Sequence, residues 1–297
     1  MKNSDYHESV LVDEVIDGLH VKRECKYIDA TLGSAGHSLA IVKKGGMVLG
    51  IEADSEMLKL SKTRFEEEKI PKANYKFVKG NFENIDKVTT ENGFTDVSGI
   101  IFDLGVSNIH LKDQIRGFSF ENVSAELDMR IDREGAGVKA SDLLNALRED
   151  QLRELFEVTL NPGAAMWLSR KIVKFREIRP IVTVGNFIEA CRGLKTEKRD
   201  LNPATLPFLA LRIAVNSELT NLRDALPKAF ELISSGGRLL VISFHSKEDG
   251  LVKEYFKRLV ADSKAIAITY KPLKASENEV FENRKSRSAK LRIVEKS

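Results

Sequence analysis

Cysteine is scarce in this 297-residue chain, which has two copies, Cys25 and Cys191. They stand far apart, and neither belongs to a cluster of cysteines or histidines at metal-ligand spacing. Because disulfide frameworks and zinc sites are built from such clusters, both are disfavoured. The sequence therefore predicts a protein of a reducing compartment with no set of metal ligands.

Long apolar runs are also missing. The longest, such as Leu239–Phe244, have the length of a strand, whereas a membrane-spanning helix needs about 20 apolar residues. Residues 1–7 lack the apolar run that is typical of a signal peptide. We therefore expect a cytoplasmic protein that makes no membrane contact.

No single sign of charge dominates, since the net charge is +3. The basic residues are nevertheless concentrated in two segments. Residues 164–200 contain nine lysines and arginines against four acids, and residues 264–297 contain the same numbers. Two basic segments on a balanced chain are typical of a protein that binds a polyanion, although a solvated surface explains either segment alone.

The chain does contain a nucleotide-binding pattern near its start. Two short apolar runs, Tyr27–Asp29 and Met47–Glu52, flank a turn of small residues, and Glu52 follows Gly33 by 19 positions. Such a βαβ unit brings its turn against a ligand and its terminal acid against ribose hydroxyls. The dinucleotide fingerprint is incomplete, because Ala35 stands beside Gly36 and no third glycine is in phase.

The acid before the turn indicates the ligand class. Asp29 lies four residues before Gly33 and suits a ligand with a cationic amine better than one with a pyrophosphate. S-adenosyl-L-methionine has such an amine, a ribose and no phosphate. We expect His37, which follows the turn, to contact this ligand, and Phe82 either to cover an adenine or to belong to the core. An ordinary βαβ turn without a ligand is the alternative.

The apolar patterns predict an α/β fold. Up to Asp103 the order is β-α-β-α-β-β, which implies a parallel sheet with Glu52, Phe82 and Asp103 at its carboxyl edge. Helical patterns then replace strands, so residues 108–216 are predicted to form a helical insert within a core of residues 1–107 and 217–297. A long helix is expected from Asn202 through Leu219, then a second one that restarts at Pro227. The last two strands are predicted to form an antiparallel edge pair.

Several polar groups allow more than one interpretation. Ser243 and His245 follow a buried strand and either close its end or lie beside a substrate; a hydrolase is disfavoured, because no Gly-x-Ser-x-Gly elbow is present. Phe118, with Arg116, either stacks on a base or packs in a turn. Arg130 belongs to an alternating run of charges that is usual for an ion-paired surface.

Taken together, the motifs resemble the bacterial small-subunit ribosomal RNA cytosine methyltransferases of the MraW type. The family implies a Rossmann-like S-adenosylmethionine-dependent methyltransferase sheet with an inserted helical domain that recognises RNA. The blocks that carry the resemblance are His7-Glu8-Ser9-Val10-Leu11, Asp29-Ala30-Thr31-Leu32-Gly33-Ser34-Ala35-Gly36-His37-Ser38, Asp103-Leu104-Gly105-Val106-Ser107, Arg116-Gly117-Phe118-Ser119-Phe120, Leu127-Asp128-Met129-Arg130, Asn202-Pro203-Ala204-Thr205, Ala210-Leu211-Arg212-Ile213-Ala214-Val215-Asn216, Ser243-Phe244-His245-Ser246 and Arg287-Ser288-Ala289-Lys290-Leu291-Arg292.

The resemblance assigns residues to a donor site and implies where this chain departs from the family. The family usually has glycine at Ala35, aspartate at Glu52, glutamine at His110, and a Gly-Glu-Glu-Arg-Phe stretch where this chain has Asn161–Trp167. If the segment Asn161–Trp167 helps to hold RNA, its different sequence implies a different RNA affinity or substrate choice. The donor-binding residues are expected to be Asp29, Gly33, Ala35, Gly36, His37, Glu52, Phe82, Asp103 and His110.

The expected reaction is direct in-line methyl transfer to the exocyclic amine of a cytidine in the decoding region, with Asp103 as the candidate acceptor for an amine proton. The expected partner is small-subunit ribosomal RNA or the 30S subunit, and a homodimer is left open. A nicotinamide-dependent oxidoreductase and a non-catalytic RNA-binding assembly factor remain as alternatives. The candidate RNA contacts are Arg116, Phe118, Arg130, Arg212, Ser243, His245, Arg284 and Arg287.

Overall fold

A computed structural model describes Tyr6 and residues 9–135, 137–195 and 202–297. His7 and Glu8 of the first family block, Ala136 and the basic residues Lys198 and Arg199 lie outside the described residues. The chain forms two compact units, one of residues 1–107 and 219–297 and one of residues 108–218. The sequence patterns put the corresponding junctions at 107/108 and 216/217.

The first unit contains a seven-stranded sheet with the strand order β3-β2-β1-β4-β5-β7-β6. The first five strands are parallel, and β7 runs antiparallel to both β5 and β6. The predicted parallel sheet and its antiparallel edge pair are therefore confirmed. The strands are β1 Lys26–Asp29, β2 Met47–Glu52, β3 Tyr75–Lys79, β4 Val97–Asp103, β5 Ile233–Ser243, β6 Ala265–Ala267 and β7 Lys290–Lys296.

The helices of the described residues are numbered in chain order. Among them, no helix combines the length and the apolar character that crossing a membrane requires. They are α1 Val12–Leu19, α2 Gly36–Lys43, α3 Ser55–Glu67, α4 Ile85–Glu91, α5 Asn108–Lys112, α6 Ala140–Ala146, α7 Glu149–Glu157, α8 Pro162–Ile178, α9 Val184–Ala190, α10 Thr205–Val215, α11 Glu218–Leu232, α12 Ser246–Ala261 and α13 Glu277–Glu282.

Two sequence-based predictions about these elements are wrong. The third strand is followed by helix α4 and not directly by β4. The long helix expected through Leu219 ends at Val215, because Ser217 takes a left-handed φ of 49°, whereas Pro227 lies inside α11 without ending it. Asn216 stabilises this break, because its amide donates to Met129 O at 2.8 Å and accepts from Ile131 N at 2.9 Å.

Helices cover both faces of the sheet, so its central strands are buried on both sides, as parallel strands usually are. On one face, Leu222 and Leu226 of α11 pack with Ile100 and Phe102 of β4. On the other face, residues of α1 and α2 pack with Tyr27 and Val48. Each large apolar side chain buried in this way contributes about 1.5–3 kcal/mol. The sheet is therefore the rigid support on which the ends of its strands are presented.

The second unit has a core of its own. Helices α7 and α8 pack together, and Phe156, Phe187 and Phe208 form part of the buried aromatic cluster. Gly117 turns the chain with a φ of 73°, and a Cβ there would collide with the backbone oxygen of Glu126. The buried cluster and the tight turn give this insert a defined interior.

Candidate active site

The small-residue turn after β1 is fixed by its neighbours. Gly33 and Ala35 both take left-handed φ values, 52° and 61°. Leu32 N donates to Ile51 O at 2.9 Å, which joins the turn to β2. From α3, Ser61 Oγ donates to Gly33 O at 2.5 Å and Arg64 Nη1 donates to Ser34 O at 2.8 Å. The turn is therefore pre-organised, which lowers the cost of ordering it around a ligand.

Glu52 ends β2 and contacts the turn directly. Its Oε2 accepts from Gly33 N at 2.8 Å, and its Oε1 accepts from Asp54 N at 2.8 Å. Burial raises the pKa of Glu52 to about 7, although the backbone N–H groups of Asp54 and Gly33 oppose that shift. Each oxygen keeps a second lone pair. The carboxylate therefore supports the turn and retains capacity for the predicted ribose contact.

Asp29 ends β1 and is almost completely buried. Its Oδ2 accepts from Ser38 Oγ at 2.7 Å and its Oδ1 from Thr31 N at 3.3 Å. Burial raises the pKa of Asp29; His37 and the Ser38 hydroxyl oppose that rise, whereas Asp103 adds to it. A cationic ligand group near this carboxylate would favour its charged form.

His37 lies in the first turn of α2 and is buried. Its Nε2 is 2.9 Å from Val10 O, and because a carbonyl only accepts, this nitrogen carries the hydrogen. The other ring nitrogen, Nδ1, is 3.9 Å from Asp103 Oδ2. The imidazole is therefore oriented between the segment before α1 and the end of β4.

Asp103 ends β4 and carries a buried carboxylate oxygen without a hydrogen-bond partner among the described residues. Its backbone N donates to Thr31 Oγ1 at 2.6 Å, which fixes the strand end. Among the described residues, its buried Oδ1 has no hydrogen-bond partner. Because leaving a buried acceptor unpaired is costly, this oxygen suits a ligand that brings an N–H or O–H group.

Phe82 begins a short 3₁₀ helix, Phe82–Asn84, directly after the Gly80-Asn81 turn that follows β3. Its ring lies edge-on to Phe102, with 5.6 Å between ring centroids. One side of the ring therefore packs against the core, and the ring is only partly buried. The predicted contact with an adenine face stays a prediction.

The fit of the donor is decided by the chemistry of these groups. Asp29, Glu52 and Asp103 end three adjacent parallel strands, β1, β2 and β4, at one edge of the sheet. Asp29 and Glu52 are buried and Asp103 is partly buried; three acids at one edge suit a ligand with an ammonium group and hydroxyls, and they repel a pyrophosphate. The residues present therefore fit S-adenosyl-L-methionine better than a dinucleotide.

The residues that fix the turn are not indicated by the sequence patterns. Thr31, Ser38, Ser61 and Arg64 each contact the turn or one of its acids. Ser61 and Arg64 stand at i, i+3 spacing on a charged helix. This pattern is also usual for a solvated helix face, so it does not indicate a contact with the turn.

In the insert, the first group of predicted residues is packed inside the unit. His110 is buried with its ring centroid 5.8 Å from that of Phe118. The Arg116 side chain is also buried, and its Nε lies 2.9 Å from Asp113 Oδ2. The donor contact of His110 and the RNA contacts of Arg116 and Phe118 stay predictions.

The other two insert arginines are ion-paired. Arg130 Nε donates to Asp128 Oδ1 at 2.7 Å and Nη2 donates to Oδ2 at 3.1 Å. Burial alone would raise the pKa of Asp128, but the hydrogen bonds from Arg130 and its charge hold that pKa below its ordinary value. Arg212 forms a similar two-bond pair with Glu218 at 2.8 and 2.9 Å. The geometry gives both arginines a structural role, and their RNA contacts stay predictions.

The last four predicted RNA contacts lie in the first unit. Ser243 is buried, with its Oγ 3.5 Å from Lys290 O. His245 is the N-cap of α12, where its Nδ1 accepts from Glu248 N at 3.3 Å. Ser243 and His245 therefore contact different partners, Lys290 O and Glu248 N. Arg284 and Arg287 are exposed in a 3₁₀ turn, Arg284–Ser288, and form no ion pair with the described residues.

The order of the sheet, its antiparallel β7 and the acids at its carboxyl edge define a Rossmann-like methyltransferase. Residues 4–297 match the model of the MraW methylase family. The chain belongs to this family and uses S-adenosyl-L-methionine as its methyl donor. The oxidoreductase alternative is therefore wrong.

Named relatives cover nearly the whole chain. The ribosomal RNA small subunit methyltransferase H of Methylacidiphilum infernorum (isolate V4) is 39% identical over 300 residues, which is 97% of this chain and 93% of that protein. The protein of the same name from Geobacter sp. (strain M21) is 38% identical, with 98% of each chain covered. That of Clostridioides difficile (strain 630) is 36% identical, with 98% and 99% covered.

Proposed function

We propose that this enzyme methylates the exocyclic amine of a cytidine in the decoding region of small-subunit ribosomal RNA. The observation that carries the proposal is the buried Oδ1 of Asp103, which has no partner among the described residues. An amine N–H is a donor of the kind that this oxygen lacks. The names of the relatives support small-subunit ribosomal RNA as the substrate class.

When bound, S-adenosyl-L-methionine supplies an electrophilic methyl group on a sulfonium. Asp29 is the residue suited to its ammonium group and Glu52 the residue suited to its ribose. Both side chains are oriented by hydrogen bonds from the turn or from α2, so their contribution is to position the reactants. Well-oriented reactants can lower a barrier by about 7–11 kcal/mol.

The amine of cytosine is a weak nucleophile because its lone pair is delocalised into the ring. Asp103 Oδ1 accepts an N–H of this amine and thereby increases the electron density on nitrogen. As the new N–C bond forms and the S–C bond breaks, nitrogen loses one proton, which Asp103 accepts. His37 Nδ1 lies 3.9 Å from Asp103 Oδ2, so the imidazole is held beside this carboxylate.

Methylation at ring carbon C5 is the less suited reaction, because it requires a thiolate nucleophile. Burial raises the pKa of the Cys191 thiol, so this thiol stays protonated. The other cysteine, Cys25, immediately precedes β1, whose opposite end carries Asp29. Cys25 therefore lies at the end of β1 opposite the acid.

The departure at Asn161–Trp167 motivates the non-catalytic alternative. Here the segment begins helix α8, with Asn161 as the N-cap, whose Oδ1 accepts from Ala164 N at 2.9 Å, and Pro162 in the first turn. A regular helix start replaces the charged family stretch. This change affects the insert and leaves Asp29, Glu52 and Asp103 in place, so it favours altered RNA affinity over loss of catalysis.

The test is to incubate the enzyme with labelled methyl donor and small-subunit RNA from cells that lack this activity, then digest the RNA and identify the labelled nucleoside by mass spectrometry. We expect label in N4-methylated cytidine at one position. Label in C5-methylated cytidine or in another nucleoside would contradict the proposed reaction. No label in any RNA would favour the non-catalytic assembly factor.

A further inference from the structure

A short segment after α13 combines an exposed aromatic ring with two exposed cations. Phe281, near the end of α13, has 88% of its surface exposed. Arg284 and Arg287 follow in the 3₁₀ turn and are also exposed. We call residues 281–287 the aromatic–arginine turn. The two exposed acids of α13, Glu277 and Glu282, precede the arginines, so the arginine end is the one suited to a phosphate.

Contacts on one side attach this turn to the carboxyl end of β5. Lys285 Nζ lies 4.6 Å from the ring centroid of Phe244, which follows β5 directly. Two positions before Phe244, Ile242 O accepts from Leu104 N at 3.0 Å, and Leu104 is the residue that follows Asp103. The turn is therefore fixed next to the strand end that carries the candidate catalytic acid.

A second contact attaches α13 to the other side of the site. Glu279 Oε1 accepts from Leu11 N at 2.8 Å. The carbonyl of the preceding residue, Val10, is the one that His37 Nε2 contacts. Both anchors of the aromatic–arginine turn thus lead to residues that adjoin Asp103 or His37.

An exposed phenylalanine alone carries no inference, because single exposed apolar residues are normal on protein surfaces. The combination with two guanidinium groups is more specific. Single-stranded RNA is bound by aromatic rings that stack on bases and by cations that contact phosphates. A neutral peptide or an apolar protein surface would leave both guanidinium groups without a partner.

We propose that the aromatic–arginine turn binds single-stranded RNA next to the target cytidine, an inference that rests on the proposed function. Phe281 stacks on a base, and Arg284 and Arg287 contact phosphates. A target base that must leave its stack exposes its neighbours, so an adjacent stacking surface compensates for the lost base stacking. The turn would act in substrate binding, and it contributes no group to methyl transfer.

The test uses a fluorescein-labelled single-stranded RNA of about 12 nucleotides, a length within the range that such surfaces cover, and measures its Kd by fluorescence anisotropy. We expect Phe281→Leu to weaken binding about tenfold, since one base stack is removed. Phe281→Tyr, which keeps the aromatic face, should stay within about twofold of the wild type.

Tyr270→Leu is the matched control. Tyr270 is equally exposed, at 89%, but the residues around it, Thr269 and Leu273, bond to β7 on the side of the sheet away from β5. Loss of an aromatic ring there should alter the Kd by less than about twofold. Equal losses for Tyr270→Leu and Phe281→Leu would contradict the assignment of the turn.

Two further measurements keep this proposal separate from the proposed function. Binding of S-adenosylhomocysteine should be unchanged in Phe281→Leu, which shows that the donor site is folded. If the wild type binds the RNA in the predicted pattern but methylates no RNA, the proposed reaction fails and the turn stands. Unchanged RNA binding by Phe281→Leu overturns the proposal. A shift from dimer in the wild type to monomer in Phe281→Leu, measured by sedimentation, also overturns it, because it would show that a second copy of the chain covers Phe281.

Discussion

Arginines in two regions of this molecule, which the sequence assigned to the same role, have opposite environments. In the insert, Arg130 and Arg212 each form two hydrogen bonds with one carboxylate. In the turn after α13, Arg284 and Arg287 are exposed and form no ion pair with the described part of the chain. An arginine whose hydrogen bonds are already used stabilises the fold, whereas an exposed one retains its donors for a ligand.

The same contrast separates two aspartates. Both oxygens of Asp128 accept from Arg130, whereas Asp103 keeps a buried oxygen for which the described residues provide no donor. Residue type and position on a motif therefore do not distinguish a structural charge from a functional one. The local hydrogen-bond inventory does.

Replacing Asp103 should have the largest effect. Asp103→Asn removes the proton acceptor and keeps the shape, so methyl transfer should fall about 10²- to 10⁴-fold. The rate is measured with saturating RNA and donor. The urea midpoint should remain near that of the wild type, because the variant keeps the shape of the side chain. Retained turnover would remove Asp103 from the mechanism.

Replacing Asp128 should affect stability instead of catalysis. Asp128→Asn removes the buried negative charge that pairs with Arg130 and Arg133 and should cost about 3 kcal/mol of unfolding free energy, measured by urea unfolding. Because the folded pKa of Asp128 is lowered, its contribution is present above the unfolded pKa and is lost as pH falls through the folded pKa. A large loss of kcat per folded molecule would contradict the distinction from Asp103.

Glu52 should make donor binding depend on pH. Its folded pKa of about 7 lies above the ordinary 4.5, so the folded state holds an extra proton between these values and loses stability as pH rises through them. A ribose contact needs the charged form, so affinity for S-adenosylhomocysteine should increase about tenfold from about pH 6 to about pH 8.

The control for Glu52 is the uncharged variant. Glu52→Gln should abolish this pH dependence, while Asp128→Asn, at a carboxyl group outside the donor site, should preserve it. Affinities that are flat with pH in the wild type would show that the carboxylate acts only on the turn and has no contact with the donor.

Ala35 should give the smallest effect. Its φ of 61° is unfavourable for a residue with a Cβ, so Ala35→Gly should stabilise the protein by at most about 1 kcal/mol in thermal unfolding. The matched change Gly36→Ala should destabilise it, because a Cβ at Gly36 would collide with Ser9 Oγ. Destabilisation by Ala35→Gly would show that packing of the buried Ala35 methyl outweighs the relief of backbone strain.

Much of the sheet could be predicted from the sequence. Apolar runs separated by amphipathic helices indicate parallel strands, and acids that directly follow those runs must lie at one edge. This reasoning located Glu52 and Asp103. It missed α4, because seven residues are too few for a clear helical period.

The remaining features depend on contacts between residues far apart in the chain. The break before α11 is stabilised by bonds from Asn216 to residues more than 80 positions earlier. Arg64 contacts the turn at Ser34, 30 positions away. No local pattern distinguishes such side chains from solvated ones, and the same holds for the paired Arg212 and the exposed Arg284.

The salt dependence of RNA binding tests the contrast between the two sets of arginines most directly. The slope of log K against log salt concentration is negative. Each lost phosphate contact on a single strand should reduce the magnitude of this slope by about 0.7. We predict a decrease of about 1.4 for Arg284→Ala combined with Arg287→Ala, and an unchanged slope for Arg130→Ala combined with Arg212→Ala in samples shown to be folded. The opposite result, in which the slope falls only with the insert arginines, would contradict the account.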